Sequence, residues 1–247
     1  MKPYNVFLGL VVILLALSGQ AAFAQSTIFN IPTTDTVSPK KGYFEFDYLI
    51  QAPETKGAGR TQIYAPRIVV GVAPNLEVGA NFFNFKVGDP STTSSYFQPN
   101  IKYKFASNDD KGLAASAGLI WYTPINHRTG VDSYGVVYGN FSKKVKKGTY
   151  GPRLTFGPYG IVGASNAYVG TKAGAIVGYE QPVQAKVSIV ADWFSGVSGF
   201  GYFTPGVSIT LPHNGLLNAG YSIGNDSYST PHNNNRYVFV YYGITFP

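Results

Sequence analysis

Charged side chains recur on one face of several short alternating segments, and these are the residues whose types and spacing could do chemistry. Around residues 97–105, for example, Lys102 and Lys104 alternate with Ile101 and Tyr103. A period of two places successive side chains on opposite faces of a strand. The charged residues that share a polar face in this way are Glu45, Asp47, Arg67, Glu77, Lys102, Lys104, Arg153, Lys172, Glu180, Lys186 and Asp192. This set predicts a water-facing surface that lines a lumen and selects solutes by charge.

Catalytic and metal-binding constellations are not evident. The three histidines, His127, His213 and His232, all fall in turns or connections, and none has a serine partner on an adjacent strand at a defensible level. The chain has no Cys, which excludes disulfides, thiolate metal sites and a lipoprotein anchor. We therefore predict no enzyme, no cofactor and no metal. A lipid-acting enzyme is the minor alternative, and it predicts that replacing His127 or His232 abolishes phospholipid hydrolysis.

Twelve alternating segments must position these side chains. They cover residues 43–51, 62–72, 76–82, 97–105, 113–122, 134–142, 153–161, 172–180, 186–194, 202–211, 216–223 and 237–246. The connections after even-numbered segments are mostly short turns, whereas most of those after odd-numbered segments are longer and polar. This rhythm is typical of outer-membrane barrels with short periplasmic turns. The sequence predicts an all-β fold, a single antiparallel up-and-down transmembrane β-barrel of about twelve strands with both termini in the periplasm.

Composition favours the same class. The 247 residues are 13% charged and 15% aromatic, with 29 Gly, and the mean hydropathy is close to zero. Barrel strands alternate apolar and polar residues and so average to neutral hydropathy, whereas a helical membrane protein would be apolar overall. A soluble secreted β-sandwich is the competing interpretation. The formal charge of +7 is spread along the chain and does not indicate a nucleic-acid partner.

The N-terminus has the pattern of a cleaved signal peptide. Lys2 precedes the apolar residues 6–17, which are too few to span a membrane as a helix, and a small-x-small cleavage site ends at Ala24. We expect a signal peptide at residues 1–24, an extended periplasmic leader at residues 25–41 and the barrel at residues 42–247. The sequence leaves open whether the leader folds inward as a plug.

Aromatic residues fall at two heights of the predicted strands. Those predicted to lie at the two membrane interfaces are Phe82, Phe97, Phe105, Trp121, Tyr179, Trp193 and Phe246. Rings at two levels are what the two interfaces of a bilayer favour. The competing interpretation, core packing in a soluble barrel, predicts rings at mid-strand as often as at the ends.

The last segment alternates through Val238, Val240, Tyr242, Ile244 and Phe246. It resembles the C-terminal assembly signal of bacterial outer-membrane proteins, from which it departs only in the Pro that follows the Phe. Over its length the chain also resembles small, uncharacterised outer-membrane barrels of porin-like or channel-like type. The resemblance implies export across the inner membrane, insertion by the barrel-assembly machinery and contact with outer-membrane lipid.

These patterns predict a porin-like outer-membrane channel that lets small polar solutes diffuse passively through a charged lumen. The predicted strand charges are slightly basic, which would mildly favour anions, and Lys102 and Lys104 are the leading candidates for selectivity. The alternative is a closed structural or surface-interaction barrel without transport, in which salt bridges fill the lumen.

Overall fold

The computed structural model describes residues 26–52, 60–83, 95–126, 128–129, 131–145, 148–164, 170–225 and 236–247, and its regular structure is entirely β-strand. The strands are β1 Gly42–Gln51, β2 Gln62–Ala73, β3 Leu76–Phe83, β4 Tyr96–Asn108, β5 Leu113–Pro124, β6 Tyr134–Lys144, β7 Arg153–Val162, β8 Ala173–Gln184, β9 Val187–Phe194, β10 Tyr202–Leu211, β11 Gly215–Gly224 and β12 Arg236–Phe246. Within these ranges no helix is long and apolar enough to cross a membrane.

Each strand pairs antiparallel with its neighbours in the chain, and β1 pairs with β12 to close the barrel. The closing register runs from Gly42 opposite Phe246 to Gln51 opposite Tyr237. The Phe246 ring lies directly over Gly42, where a Cβ would come within 2.3 Å of it, so a larger residue at position 42 would displace that ring from the seam. The fold class predicted from the sequence, an all-β up-and-down barrel of twelve strands, is confirmed.

The two faces of the wall follow the period-two pattern. On β4, Gln98 and Lys102 are buried inside the barrel, whereas Ile101, Tyr103 and Phe105 point outward and are 44%, 51% and 52% exposed. Aliphatic and aromatic side chains cover the outer face of the other strands in the same way. The wall is therefore apolar outside, whereas its inner face combines polar and charged side chains with an apolar cluster that includes Val136, Ile176, Val190, Phe194 and Phe239.

The two ends of the barrel differ in the length of their connections. The turns at residues 74–75, 109–112, 185–186 and 212–214 are short and lie at one end, here called the short-turn end. Asn75, His213 and Asn214 adopt positive φ there, as tight hairpins require. The connection at residues 145–152 is longer and lies at the same end, and the other connections, of seven to twelve residues, lie at the opposite, long-loop end. The N-terminus of β1 and the C-terminus of β12 both lie at the short-turn end.

Of the segment expected as an extended leader in the periplasm, residues 26–37 lie inside the barrel instead, and residues 38–41 are exposed. Ile28 and Ile31 are buried, and Thr33 and Thr34 are completely shielded from solvent. The segment leaves the lumen at the short-turn end, where Pro39 bridges in parallel to Gly71 on β2. A twelve-stranded wall encloses more space than its own side chains fill, and this segment occupies part of it. The signal peptide expected at residues 1–24 lies outside the described residues.

Candidate functional site: a hairpin inside the barrel

A short β-hairpin formed by residues 26–34, here called the plug hairpin, stands inside the barrel. Its two arms meet in an antiparallel bridge between Thr27 and Pro32. The amide of Ile28 donates to the carbonyl oxygen of Ile31 at 2.8 Å across the tip. The plug hairpin pairs with itself rather than with the wall, so it is a separate element that the lumen holds through side-chain contacts.

The tip of the plug hairpin carries its apolar residues. Ile28, Phe29 and Ile31 are 1%, 2% and 0% exposed. The ring of Phe29 lies 4.7 Å from that of Phe239 on β12, measured between centroids. Gly178 on β8 leaves room for the tip, because a Cβ there would lie 2.4 Å from Cδ1 of Ile28. The inner wall is thus shaped around the hairpin, and each buried apolar side chain contributes about 1.5–3 kcal/mol.

The first of four charged clusters joins the N-terminal arm to β3 and β4. Lys102 Nζ lies 3.0 Å from Glu77 Oε1, and the two side chains are 2% and 3% exposed. The same ammonium donates to the carbonyl and hydroxyl oxygens of Ser26 at 2.7 and 2.8 Å, and the Ser26 hydroxyl donates to Glu77. The amide of Val37 donates to Glu77 Oε2 at 2.8 Å. This buried ion pair therefore depends on the hairpin segment for its remaining hydrogen bonds.

The second cluster lies on β1 and β2. The guanidinium of Arg67 contacts Glu45 Oε1 at 2.7 Å and Asp47 Oδ2 at 2.8 Å, and it donates to the Thr27 hydroxyl at 2.9 Å. The hydroxyl of Tyr43 donates to Glu45. Two carboxylates surround one cation, so the cluster has an excess of one negative formal charge.

The third cluster connects β7 and β8 to residues 35–41, the segment that leads out of the lumen. Arg153 binds Glu180 through two parallel bonds of 2.6 and 2.9 Å, the bidentate geometry that suits a guanidinium and a carboxylate. Its remaining nitrogen contacts Asp35. The side chains of Arg153, Glu180 and Asp35 are 24%, 22% and 18% exposed, so this cluster is the most accessible to water of the three clusters that contain a cation.

The fourth cluster holds the tip of the hairpin to β9 and β10. The carboxylate of Asp192 accepts hydrogen bonds from the backbone amides of Asn30 at 2.5 Å and Ile31 at 3.2 Å. The side-chain amide of Asn30 donates to the Thr204 hydroxyl at 2.6 Å. A carboxylate that accepts backbone N–H groups fixes the position of the chain as well as its charge.

Neutral polar contacts complete the attachment of the plug hairpin. Asn140 on β6 donates its side-chain amide to the carbonyl oxygen of Pro32, and the hydroxyls of Thr34 and Ser142 lie 2.6 Å apart. Asn140 and Thr34 are both completely buried. Nearly every side of the hairpin therefore meets a polar group of the wall, and these partners pair the hydrogen-bonding groups that its burial removes from water.

The residues predicted to line a lumen occupy two kinds of position. Most of them face inward and form the four clusters, and Lys104 lies on the same face of β4 near the short-turn end, half-buried. Lys172 and Lys186 lie outside the strands: Lys172 is exposed just before β8, and Lys186 lies in the turn before β9. Lys102 meets a carboxylate and the hairpin rather than an open aqueous path.

The inner charge balance differs from the slightly basic lumen that the sequence predicts. Among the described strands and residues 26–41, six carboxyl groups face inward against four cations, an excess of two negative formal charges. The carboxyl groups are those of Asp35, Glu45, Asp47, Glu77, Glu180 and Asp192, and the cations are Arg67, Lys102, Lys104 and Arg153. The prediction failed because it counted the two turn lysines as inward and left out Asp35, whose segment enters the lumen.

The seven residues predicted to lie at membrane interfaces are all on the outer face of the wall. Phe82 and Phe97 lie side by side on β3 and β4, with ring centroids 5.3 Å apart, near the long-loop end. Trp121 and Trp193 come close to the same ends of β5 and β9. Towards the short-turn end lie Phe105, Tyr179 and Phe246. These seven rings thus fall at two levels.

A cavity of about 480 Å³ lies above the plug hairpin, towards the long-loop end, and is here called the vestibule. Thr27, Phe29, Asn30 and Pro32 of the hairpin form its floor. Its upper wall is rich in aromatic rings, contributed by Tyr96, Tyr122, Tyr134, Phe200, Tyr202 and Tyr237. This is the size of a site for a small organic molecule.

Sequence reasoning missed the residues by which the hairpin binds the wall. Ser26, Asn30 and Asp35 belong to a segment interpreted as a leader, and Asn140 belongs to a strand whose alternation is blurred by glycine. One signal was available: Ile28, Phe29 and Ile31 are three apolar residues within four positions, which is unusual for a solvated leader.

The histidines of the alternative enzyme hypothesis are only partly described. His213 lies in the turn between β10 and β11 with φ of 58°, at the short-turn end. His127 and His232 lie outside the described residues.

No family model matches the chain, and no curated protein matches its sequence. An active-site mutant of outer membrane phospholipase A from Escherichia coli has a similar structure, with a TM-score of 0.50 and 12% identity over 96% of this chain and 97% of that one. An outer membrane channel from Pseudomonas putida F1 gives a TM-score of 0.49 and 12% identity over 87% and 97%. The chain has the fold of a small outer-membrane β-barrel. Identities this low show the fold and nothing about the activity.

Proposed function

We propose that this barrel is an outer-membrane channel for small solutes that is closed at rest by its own plug hairpin and conducts when the hairpin leaves the lumen. The observation that carries the proposal is the position of the hairpin. It stands between the vestibule on one side and the short-turn end on the other, and it is a separate element rather than part of the wall.

The outer surface supports the membrane location. Large apolar side chains on the outer face are exposed on eleven of the twelve strands, and the seven predicted interface rings fall at two levels. A bilayer is the environment in which such a surface is stable. We place the short-turn end in the periplasm, because outer-membrane barrels have their short turns there. In this proposal the signal peptide is cleaved, and the C-terminal strand β12 is the segment that the barrel-assembly machinery recognises.

The contacts of the hairpin favour a removable plug over a permanent filling. Besides the apolar packing of its tip, the hairpin is held by hydrogen bonds to Arg67, Lys102 and Asp192 of the wall, and water can replace these polar partners when the hairpin leaves. Removing it would expose a charged path through the lumen. The sequence-based hypothesis of passive diffusion through a charged lumen is kept here for the open state only.

Planar-bilayer conductance of two mature chains tests the proposal. One begins at Gln25, and the other begins at Asp35 and lacks the plug hairpin. We expect the full chain to conduct rarely and the shortened chain to form stable, discrete channels. Heat-modifiable migration in electrophoresis must show that both barrels are folded. Two folded barrels that never conduct would establish the closed structural alternative, and equal conductance would show that the hairpin is not the gate.

A reversible cross-link separates movement of the hairpin from its deletion. The hydroxyls of Thr34 and Ser142 lie 2.6 Å apart, and the chain contains no other Cys to interfere. The double variant Thr34→Cys, Ser142→Cys should be silent when oxidised and should regain the conductance of the full chain when reduced. The reduced sample is the matched control, since its sequence is identical. Conductance that is the same in both states would contradict gating by the hairpin.

Catalysis is not part of this proposal. The phospholipase with a similar fold shares 12% identity, which transfers no activity. Hydrolysis of phospholipid by the purified full chain, lost on replacement of His127 or His232, would establish the enzymatic alternative in its place.

A further inference from the structure

We propose that the vestibule is a binding site for an uncharged aromatic molecule that carries one hydrogen-bonding group, such as an aromatic alcohol. This inference goes beyond the proposed channel function. It concerns binding above the plug hairpin, and it requires neither movement of the hairpin nor conduction by the barrel. Three features of the cavity support it: two facing groups of rings, charged side chains that already have partners, and a pair of carboxamides.

Aromatic rings form the upper part of the vestibule in two groups on opposite sides of the barrel. In one group, the rings of Tyr122 and Tyr134 are stacked at 4.8 Å, and Tyr96 meets Tyr122 edge-on at 6.1 Å. In the other group, Tyr202 and Tyr237 are 6.1 Å apart and nearly perpendicular. All five residues are half-buried and border the cavity. They favour an aromatic ligand, because stacked and edge-on ring pairs are favourable beyond the area that they bury.

The charged groups of the described lining already have partners. Arg67 contacts Asp47 at 2.8 Å and the completely buried Glu45 at 2.7 Å. Asp132, the other charged residue of this lining, takes part in an interaction of its own within the protein. A cation would have to compete with Arg67 for its carboxyl partners, and an anion would have to compete with those carboxyl groups for Arg67. Either ion would also lose water on entering, so the site favours an uncharged molecule.

Two carboxamide side chains supply a neutral polar contact. Asn81 on β3 and Gln98 on β4 lie opposite each other in the wall and line the cavity. The side-chain amide of Asn81 donates to Gln98 Oε1 at 3.4 Å. Each carboxamide has two N–H donors, so this contact leaves donor capacity for an oxygen of the ligand. A hydroxyl or carbonyl group on the ligand therefore gains a hydrogen bond that a hydrocarbon does not.

The cavity also fits the size of such a ligand. Its volume of about 480 Å³ is within the range of sites that take small organic molecules. Phe29 of the plug hairpin belongs to the floor, and Leu49, Ile63 and Ile120 add aliphatic surface. A body of one aromatic ring would be surrounded by apolar contacts, with its polar group against the carboxamides.

Four probes of similar size separate the effects of charge and hydrogen bonding. They are benzyl alcohol, toluene, benzylammonium and benzenesulfonate, each tested with the full mature chain in an uncharged detergent. Saturation-transfer NMR measures binding, and only the signal that excess phenol displaces is counted, because partition into detergent does not saturate. We expect benzyl alcohol to bind most tightly, toluene to bind about twofold to tenfold more weakly, and the two ions to show no displaceable binding.

Each other result contradicts a defined part of the proposal. Binding of either ion as tight as that of benzyl alcohol would overturn the preference for uncharged ligands. Equal binding of toluene and benzyl alcohol would overturn the hydrogen-bonding contact. Absence of displaceable binding by all four probes would overturn the site itself.

Variants then assign the contacts, after heat-modifiable migration has shown that each of them is folded. Tyr122→Leu removes the central ring of one group and should weaken binding of benzyl alcohol about twofold to tenfold, whereas Tyr122→Phe should keep the affinity. Asn81→Leu removes a carboxamide and should lower the affinity for benzyl alcohol to that for toluene. Tyr103→Leu is the matched control, because it removes a tyrosine from the outer face of β4.

The control determines whether the probes bind inside the barrel. A loss of affinity in Tyr103→Leu equal to that in Tyr122→Leu would overturn the assigned location. A difference between benzyl alcohol and toluene that persists in Asn81→Leu would overturn the assigned polar contact. Conductance enters none of these measurements, so failure of the channel proposal would leave their outcome unaffected.

Discussion

The two halves of the lumen differ in what occupies the space that the wall encloses. Towards the short-turn end, the space inside the wall is filled by the plug hairpin and residues 35–37, and nearly every inward charge there has a partner in that segment or on a neighbouring strand. Towards the long-loop end, half-exposed aromatic rings line a cavity instead. A filled half resists solute passage, whereas a half with a preformed cavity can receive a ligand.

The difference follows from what each half of the wall offers. Buried charges such as Lys102 and Glu77 need several hydrogen-bonding partners, and a flexible segment with free backbone groups can provide them. Tyrosine rings need only one partner each for their hydroxyls and can border water. The stability of the filled half should therefore depend on single charged residues, and that of the vestibule should not.

The largest expected effect is that of Lys102→Met. It removes the cation from a buried pair and leaves the Glu77 carboxylate uncompensated, which costs about 3–5 kcal/mol. Lys104→Met is the matched control on the same face of the same strand, where the side chain is half-buried and forms no ion pair with the described residues. Its cost should stay below about 1 kcal/mol. Unfolding in urea, followed by heat-modifiable migration, measures both. Equal stability of the two variants would refute the claim that the filled half depends on its buried, paired charges.

A smaller effect is expected at the boundary between the halves, from Asp192→Asn. The new side chain keeps its shape but loses the negative charge that accepts the amides of Asn30 and Ile31. Hydrogen bonds to charged groups contribute about 1.5–3 kcal/mol, so the hairpin should leave the lumen at least about tenfold more often. The frequency of channel openings in planar bilayers measures this change.

The control for this experiment is Asp109→Asn, which removes a carboxylate from the turn between β4 and β5 and should leave the opening frequency unchanged. If Asp192→Asn opened no more often than the full chain, the fourth cluster would not hold the plug hairpin closed.

Much of the wall could be predicted from the sequence, because its signal is local. The period-two alternation on β4 or β12 determines which side chains face lipid, and the turn residues around Asn75 and His213 determine where a strand ends. An even number of strands then makes the first and last strands antiparallel, so they can pair and close the wall. Each step uses neighbouring residues, so no knowledge of distant contacts is needed.

The contents of the lumen could not be predicted in the same way. The segment around Ser26 is non-repetitive, and its partners, Glu77 and Lys102, are separated from it by 51 and 76 positions in the chain. Alternation correctly assigned a face to Lys102 but could not show that the lumen there is filled. The sign of the lumen charge was wrong for the same reason, since Asp35 counts only if its segment folds inward.

The smallest expected effect is on ion selectivity, which depends on the net charge of the lumen. With the plug hairpin deleted, the excess of inward carboxyl groups should make the open barrel prefer potassium over chloride about twofold. Lys102→Glu with Lys104→Glu in this shortened chain should raise the preference further, because both positions face the lumen. Lys172→Glu with Lys186→Glu changes the total charge equally but lies outside the strands, and it should leave selectivity nearly unchanged. The reversal potential in a potassium chloride gradient distinguishes the pairs. A preference for chloride in the shortened chain would instead restore the basic lumen predicted from the sequence.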